Sequence, residues 1–280
     1  MFMILFPNLV QQMMPYFVIQ RSLYEVRERP SKTYSWIAFM ISSVVVEIPW
    51  NALLTVPAFF CWYYPIGFYK NAIPTDAVTE RSGTMFLLIL IFLMFSSTFS
   101  SMVIAGIEQA ETGGNIAQLC FSLTLVFCGV LVSPTAMPGF WIFMYRLSPF
   151  TYFVSAVLST GVGRTDIVCA ANEILRLTPA AGQTCMEYLG PYTKFAGGRI
   201  LTPDATDMCE FCAVADTDTF LKGVNIIFDE RWRNIGILFG YIAFNMVGAI
   251  GLYWLLRVPK RKSGVKQGQQ PQKQANETKA

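Results

Sequence analysis

The chain has 280 residues, of which 54% are hydrophobic and only 14% are charged. Soluble domains carry about 25% charged residues, so this composition excludes an ordinary soluble protein. The formal net charge is only +3, which gives no nucleic-acid-binding footprint, and histidine, the commonest general base and metal ligand, is absent. Apolar runs of about 20 residues predict an all-α polytopic membrane protein, because helices satisfy their own backbone groups inside a bilayer.

Five apolar segments are long enough to cross a bilayer as helices, and we name them spans A to E. They are predicted at residues 1–20 (A), 34–63 (B), 84–110 (C), 116–133 (D) and 234–256 (E). Gly113 and Gly114 are expected to form the break between spans C and D, because glycine commonly ends helices. Two further apolar pieces, at residues 139–145 and 149–160, are too short to span and predict re-entrant or interfacial helices.

Polar residues within two of the spans mark candidate functional faces. Span A carries Asn8, Gln11 and Gln12 at spacings that place them on one helical face, and span D carries Gln118 and Ser122 in a similar way. A polar side chain inside a membrane must face protein or a cavity. Two interpretations stay open, namely hydrogen bonds between helices, which we favour slightly because they are common, and a solute pathway.

Span B carries one carboxylate near its middle, at Glu47. A charge at that depth costs about 2.5–3.5 kcal/mol on insertion scales, so Glu47 must be paired, protonated or facing an aqueous cleft. We favour a structural hydrogen bond between helices, with proton coupling as the alternative. Pro49 follows closely and is expected to kink the helix, because it frees a backbone carbonyl of the preceding turn.

A short segment between spans A and B carries six charged residues, whereas span A carries none. Ser22 and Glu25 match the Ser-x-x-Glu capping box of a helix start. Glu25 also lies four residues before Arg29, which is a favourable pairing on a helix, and Pro30 stops the helix. We therefore predict a separate helix of about two turns that lies flat on the membrane surface.

The long polar loop at residues 161–233 contains four of the seven cysteines. An even cluster in such a loop predicts two disulfides and hence an extracytoplasmic face, with a four-thiolate zinc site as the alternative. We favour disulfides, because the cysteines do not form the repeated Cys-x-x-Cys pairs of zinc sites. Four cysteines allow three pairings, and their spacing does not choose among these.

The topology follows from where the charges and cysteines lie. The charged segment after span A and the basic stretch at residues 257–266 are expected in the cytoplasm, and the cysteine loop is expected outside. Five crossings satisfy all three conditions and place the start of span A outside. An uncharged start on that side leads us to expect a fragment that lacks a preceding span. The Gln- and Lys-rich end, at residues 258–280, is expected to be disordered.

Four stretches of the sequence carry a resemblance to a known family. They are Phe-Pro-Asn-Leu-Val-Gln-Gln-Met-Met-Pro (6–15), Tyr-Glu-Val-Arg-Glu-Arg-Pro-Ser-Lys-Thr-Tyr-Ser-Trp (24–36), Val-Glu-Ile-Pro (46–49) and Trp-Ile-Phe-Met-Tyr-Arg-Leu-Ser-Pro-Phe-Thr-Tyr (141–152). Through these the chain resembles the second transmembrane domain of fungal ABC transporters of the G type, in the pleiotropic drug resistance subfamily. The resemblance covers residues 1 to about 262.

The resemblance implies a domain plan. Residues 1–160 would form the ABC-2 type transmembrane region with four spans, a coupling helix at 22–29 and re-entrant helices at 139–160. A large extracellular loop (161–233), a last transmembrane helix (234–257) and a cytoplasmic tail (258–280) would follow. The coupling helix would contact nucleotide-binding domains through the set Ser22, Glu25, Arg27, Glu28, Arg29 and Pro30.

The resemblance also implies roles for residues of the outer half. The family's nested disulfides would correspond to Cys169–Cys212 and Cys185–Cys209. Its apolar valve would lie near Val130 and Leu131. The polar faces of spans A and D would line the substrate pathway.

The expected function is the membrane-spanning part of an ATP-driven exporter of hydrophobic drugs, lipids or xenobiotics, most often in the plasma membrane. The sequence lacks the Gly-x-x-x-x-Gly-Lys-Ser/Thr loop that holds nucleotide phosphates, so ATP and Mg would belong to nucleotide-binding domains on other parts of the transporter. Further partners would be the lipid bilayer, the other transmembrane domain and hydrophobic small molecules, with no metal, no nucleic acid and no enzyme activity on this chain. The alternatives are an inactive fragment or pseudogene product, and a receptor or scaffold with a disulfide-bonded ectodomain.

Overall fold

The computed structural model describes residues 2–132, 134–167, 169–214 and 216–258. The tail expected at residues 258–280 lies outside this part from residue 259 onward. Helices dominate the fold, as the sequence predicts. Those described are α1 (Phe2–Leu23), α2 (Trp36–Ile66), α3 (Val78–Ala105), α4 (Ala110–Val126), α5 (Ile142–Leu147), α6 (Pro149–Val162), α7 (Cys185–Ala196), α8 (Thr217–Gly223) and α9 (Arg231–Arg257).

The five long helices pack as one bundle around α3, which contacts α1, α2, α4, α6 and α9. Three of them, α2, α3 and α9, are each long and apolar enough to cross a membrane. Of the residues in their apolar stretches, 61% are buried in α3, against 22% in α2 and 28% in α9. Helix α3 is therefore the core of the bundle, whereas α2 and α9 turn most of their apolar surface outward. The polytopic helical fold is confirmed.

Aromatic contacts join the helices that surround α3. The ring of Phe6 on α1 stacks on Phe121 of α4 at 5.0 Å between centroids and meets Phe150 of α6 edge-on at 5.5 Å. It also contacts Phe92 and Phe95 of α3. Each such pair contributes about 0.5–1.5 kcal/mol beyond the burial of area. Phe6 therefore ties the start of α1 to three other helices.

Two glycines lie elsewhere than expected. Helix α3 ends at Ala105 and α4 begins at Ala110, so Gly113 and Gly114 lie inside α4 and do not form the break between the helices. A Cβ atom on Gly113 would lie 2.7 Å from Cδ1 of Ile104 and 3.1 Å from Sδ of Met14. The prediction of a glycine break was wrong because the absent side chain permits close helix packing, which is common between spans.

The prolines of α2 do not divide it. The helix runs without interruption from Trp36 to Ile66 and contains Pro49, Pro57 and Pro65. Ser35 caps its start by accepting a hydrogen bond from the backbone N–H of Ala38 at 3.2 Å. A helix can tolerate proline inside a membrane when neighbouring groups satisfy the freed backbone.

The two short helices after α4 are anchored at their junction. Ser148 Oγ donates a hydrogen bond to the carbonyl oxygen of Thr124 on α4 at 3.2 Å. Tyr241 on α9 donates from its hydroxyl to the carbonyl oxygen of Leu147 at 2.7 Å. Thr124 lies in the last turn of α4, whereas Tyr241 lies in the interior of α9, so the two bonds hold the α5–α6 junction between the end of α4 and the outer half of α9.

The outer loop has its own small fold, which the all-α expectation did not include. Strands β1 (Leu175–Leu177), β2 (Arg199–Ile200) and β3 (Cys209–Cys212) form an antiparallel sheet in the order β1-β3-β2. Disulfides join Cys169 to Cys212 and Cys185 to Cys209, the pairing that the resemblance implies. They use all four cysteines of the loop, so no thiolates remain there for a zinc site. Both are attached to β3, which makes this strand the centre of the loop.

Candidate pathway and inner contact cluster

Helix α1 has two distinct faces. Its buried face carries Phe6, Val10, Met14 and Phe17, at spacings of three and four residues. The predicted pathway residues Asn8, Gln11 and Gln12 all lie on the exposed face. The sequence pattern and the packing therefore agree on which side of α1 is available to a solute or to another protein surface.

The exposed face of α4 continues this polar surface. Gln118 and Ser122 are exposed, and Ser122 Oγ donates to the carbonyl oxygen of Gln118 at 2.9 Å. Glu111 and Asn115 precede them at helical spacing, on the same face. Four successive turns of α4 thus present a polar residue on one side.

The two polar faces meet in a groove between α1 and α4, with a volume of about 390 Å³. Gln11 and Pro15 line it from α1, and Glu111, Gly114 and Asn115 line it from α4. Of the predicted pathway residues, only Gln11 lines this groove. Sequence reasoning missed Glu111 and Asn115, because it began span D at residue 116 and left both outside the helix. Starting α4 at Ala110 would have placed both on the Gln118 face.

The two residues expected near a valve lie beyond the end of α4. Val130 and Leu131 are 59% and 66% exposed and follow Gly129, which has a φ of +86°. A Cβ atom on Gly129 would lie 2.7 Å from the ring of Tyr145 on α5. The chain therefore turns sharply over α5 here, and the valve role of the two residues stays a prediction.

The charged segment after span A does not form a separate helix. Helix α1 runs to Leu23 and continues as a π-helical turn from Tyr24 to Glu28. Ser22 Oγ donates to the carbonyl oxygen of Ile19 at 2.7 Å instead of capping a helix start. The predicted capping box was wrong, because Ser22 lies inside a continuous helix. The backbone N–H groups that follow it bond to carbonyl groups of the preceding turn of α1 and need no cap. The helix does end just before Pro30, as expected.

Glu25 and Arg29 do not pair with each other in this structure, although both lie on the same turn. Glu25 accepts a hydrogen bond from the hydroxyl of Tyr253 at 3.1 Å and lies 3.6 Å from the guanidinium of Arg257. Arg29 Nη1 donates to the carbonyl oxygen of Arg257 at 2.9 Å. The π turn shifts the hydrogen bond of the Arg29 N–H to Tyr24, five residues back, which displaces Arg29 from the i, i+4 position of an α-helix.

Arg21 is a buried charged residue that sequence reasoning passed over. Its side chain donates from Nη1 to the carbonyl oxygen of Ile104 at 2.6 Å and from Nη2 to that of Glu108 at 3.2 Å. Cations near the carbonyl end of a helix satisfy free acceptors and complement the helix dipole. Arg21 thus fixes the end of α3 to α1. Its position at the end of an apolar span was the available signal.

These contacts form one network, which we call the inner cluster: Arg21, Glu25, Arg29, Glu108, Tyr253 and Arg257. It joins the π turn, the α3–α4 connection and the end of α9, since Arg257 also lies 3.8 Å from the carboxylate of Glu108. By the expected topology it lies at the cytoplasmic end of the bundle.

The other residues of the predicted coupling segment point outward. Ser22, Arg27 and Pro30 are exposed. Glu28 accepts a hydrogen bond from the hydroxyl of Tyr34, and this bond, together with burial, raises the pKa of Tyr34 to about 12. The segment therefore has an inner side that holds α9 and an outer side that is available to a partner.

Glu47 is half-buried on α2, between Val46 and Ile48, which are exposed. No hydrogen bond or ion pair joins its side chain to another residue of the described ranges. The interhelical hydrogen bond that we favoured is thus not formed within this part of the chain. The carboxylate of Glu47 therefore faces solvent, lipid, another chain or a residue outside the described ranges, and proton coupling stays a hypothesis.

Comparison with known proteins shows which family and which relatives the chain is similar to. Residues 1–161 match the profile of the ABC-2 type transporter family. The chain is 67% identical over 263 residues to ABC multidrug transporter A-2 of Aspergillus fumigatus, which covers 94% of the chain and 18% of that protein. It is 60% identical over 263 residues to ABC multidrug transporter atrH of Aspergillus oryzae, with the same coverage. It is 52% identical over 268 residues to ABC multidrug transporter AFR2 of Cryptococcus neoformans, covering 96% and 18%. The chain thus spans about 18% of the length of these relatives.

Proposed function

Because the chain belongs to the ABC-2 type transporter family, we propose that it forms part of the substrate pathway of an ATP-driven exporter of hydrophobic drugs, lipids or xenobiotics. The observation that carries this proposal is that one helix, α1, contributes to both candidate regions. Its middle lines the polar groove with α4, and its end belongs to the inner cluster. A movement at one region would therefore reach the other along one continuous helix.

The coupling step assigned to this chain is mechanical. Nucleotide-binding domains would supply ATP hydrolysis, and their closure would press on the outward side of the segment from Ser22 to Pro30. The inner cluster would transmit that displacement to α9 and to the α3–α4 connection. Differential contacts of this kind are what allow a bound nucleotide to shift a two-state equilibrium.

The groove between α1 and α4 would form part of one wall of the pathway. Its polar members, Gln11, Glu111 and Asn115, offer hydrogen bonds, and apolar side chains flank it. A surface of this mixed character suits hydrophobic solutes that carry a few polar groups. Exported substrates would pass from here toward Val130 and Leu131 at the outer end of α4. The plasma membrane is the proposed location.

The test uses a chimera in which the matching segment of the Aspergillus fumigatus relative is replaced by this chain. Efflux of a fluorescent hydrophobic dye is measured in yeast together with surface expression. Asn115→Leu and Gln11→Leu are expected to change the efflux rate of the dye, whereas Ser42→Leu on the exposed side of α2 is the matched control. Equal efflux in all three variants would show that the groove is not part of the pathway. A folded chimera without efflux would favour the receptor or scaffold alternative.

A further inference from the structure

A second polar cavity, of about 260 Å³, lies where α5, α6 and the start of α9 meet the outer loop. Arg146 and Tyr152 line it from the re-entrant helices, and Glu230, Arg233 and Asn234 line it from the outer end of α9. It is separate from the groove between α1 and α4 and shares no lining residue with it. An inference about it therefore does not depend on the proposed export function.

The side chain of Arg146 is exposed, and the backbone around it is anchored by two hydrogen bonds. The next residue, Leu147, accepts the hydrogen bond from Tyr241, which lies ten positions after Arg231, the first residue of α9. At 1.5 Å per residue, this contact is about 15 Å along α9 from its outer end. Tyr152 also donates to the carbonyl oxygen of Arg146 at 2.8 Å, which fixes the backbone there. The backbone that carries this guanidinium is thus held against α9, beside the cavity.

The charges around the cavity do not balance. Glu230 is fully engaged by Arg233, through two hydrogen bonds of 2.7 and 2.6 Å. The guanidinium of Arg146 makes no ion pair or hydrogen bond with any residue of the described ranges. Arginine stays protonated under all ordinary conditions. The cavity therefore holds one cation that no residue of the described ranges neutralises.

The remaining polar groups of the cavity are ordered around this cation. Asn234 is only 2% exposed, and its amide donates to Ser155 Oγ at 3.0 Å. The ring of Tyr152 is fixed by its hydrogen bond to the backbone of Arg146. An arginine without a partner among the described residues binds a counter-ion or water, because a guanidinium carries several N–H donors and a permanent charge. The planar fork of its N–H groups matches the oxygens of a phosphate or carboxylate.

We propose that this cavity is an oxyanion-binding site in which Arg146 is the principal ligand and a phosphate group is the preferred occupant. The phosphate comes either from the headgroup of a phospholipid in the outer leaflet or from solution. Both sources supply the same chemistry, namely two or three oxygens for the guanidinium. Basic pockets between membrane helices bind lipid headgroups on the cytoplasmic side of membranes, and the same guanidinium–phosphate chemistry is available at this outer cavity.

The experiment uses the full chain in nanodiscs. One arm contains phosphatidylcholine with phosphatidic acid, and native mass spectrometry counts the anionic lipids retained on the protein. The other arm contains phosphatidylcholine alone, and the ³¹P NMR line width of added inorganic phosphate reports binding from solution. The variants are Arg146→Gln, Arg146→Lys, which keeps the charge but loses the fork, and Arg176→Gln as the matched control in β1. Intact disulfides and unchanged helix content by circular dichroism verify the fold of each.

Retention of the lipid or binding of phosphate is expected to fall about tenfold in Arg146→Gln, as for the loss of one charge-assisted pair, and less in Arg146→Lys. Arg176→Gln is expected to behave as the parent chain. An effect in the first arm alone identifies the headgroup as the source, and an effect in the second arm identifies phosphate from solution. If folded Arg146→Gln and Arg176→Gln match the parent in both arms, the proposal is overturned. If Arg146→Gln does not fold, Arg146→Lys decides by the same comparison.

Discussion

Arg29 Nη1 donates a hydrogen bond of 2.9 Å to the backbone carbonyl of Arg257, although 228 positions separate the two residues. The bond joins the π turn that follows α1 to the last residue of α9. Glu25 reinforces the junction through Tyr253 and Arg257. The charged segment is thus bonded to the far end of the chain, and this arrangement motivates the first prediction.

Breaking the inner cluster is expected to uncouple dye export in the chimera from the movement of its nucleotide-binding domains. In Arg29→Ala and Glu25→Ala, dye efflux should fall about five- to tenfold while surface expression holds, because a part-buried charge-assisted contact is lost on each side of the junction. Lys194→Ala is the control, since this exposed residue lies on α7 in the outer loop, away from the charged segment and from the inner cluster. Unchanged efflux in the first two variants would refute a coupling role for the cluster.

Removing Arg21 is expected to destabilise the inner end of the bundle. In Arg21→Met, the carbonyl groups of Ile104 and Glu108 lose their donor while the aliphatic part of the buried side chain is largely kept. The expected cost is about 1–3 kcal/mol, measured as a lower midpoint of thermal unfolding of the chain in detergent. Arg27→Met provides the comparison on the exposed side of the same segment. Equal midpoints for the two variants would contradict the structural role of Arg21.

The outer loop contains a glycine with no room for a side chain. Gly198 has a φ of +100°, and a Cβ atom there would lie 2.4 Å from the ring of Phe211 and 2.8 Å from the carbonyl oxygen of Cys212. Gly198→Ala is expected to cost about 1–3 kcal/mol through backbone strain and overpacking. Limited proteolysis of the loop should therefore become faster. Gly190→Ala on α7, where nothing lies within 4 Å of the added atom, should leave the proteolysis rate nearly unchanged.

The disulfides are expected to stabilise the loop rather than the helical bundle. Replacing Cys169 and Cys212 together by serine should cost about 2–4 kcal/mol of loop stability, because the unfolded loop gains freedom. Faster loop proteolysis and lower surface expression of the chimera are the expected readouts. Cys61→Ser, at an exposed position on α2, serves as the control. A doubly substituted loop that resists protease as well as the parent does would show that β3 and its neighbours are sufficient alone.

The sequence predicted the exposure of some residues well and the helix ends and contact partners of others poorly. The faces of α1 and α4 follow from helical periodicity, so the exposure of Gln11 and Gln118 agrees with the pattern. The helix ends were less accurate, because Gly113 serves packing and because Ser22 lies in the middle of a continuous helix. The partners of Glu25 and Arg29 were missed, since a local rule considers four residues of sequence and the actual contacts come from α9.

By itself, the sequence determined the membrane class, the helical spans and the polar faces, because hydropathy and helical periodicity are local properties of the chain. The resemblance added the disulfide pairing. Only the tertiary structure decided that α1 and α4 enclose a groove, that the charged segment is bonded to Arg257, and that Arg146 lines a polar cavity with Arg233 without an ion pair to any described residue. Each of these depends on residues that lie far apart in sequence, and their distances are set by how the helices pack around α3.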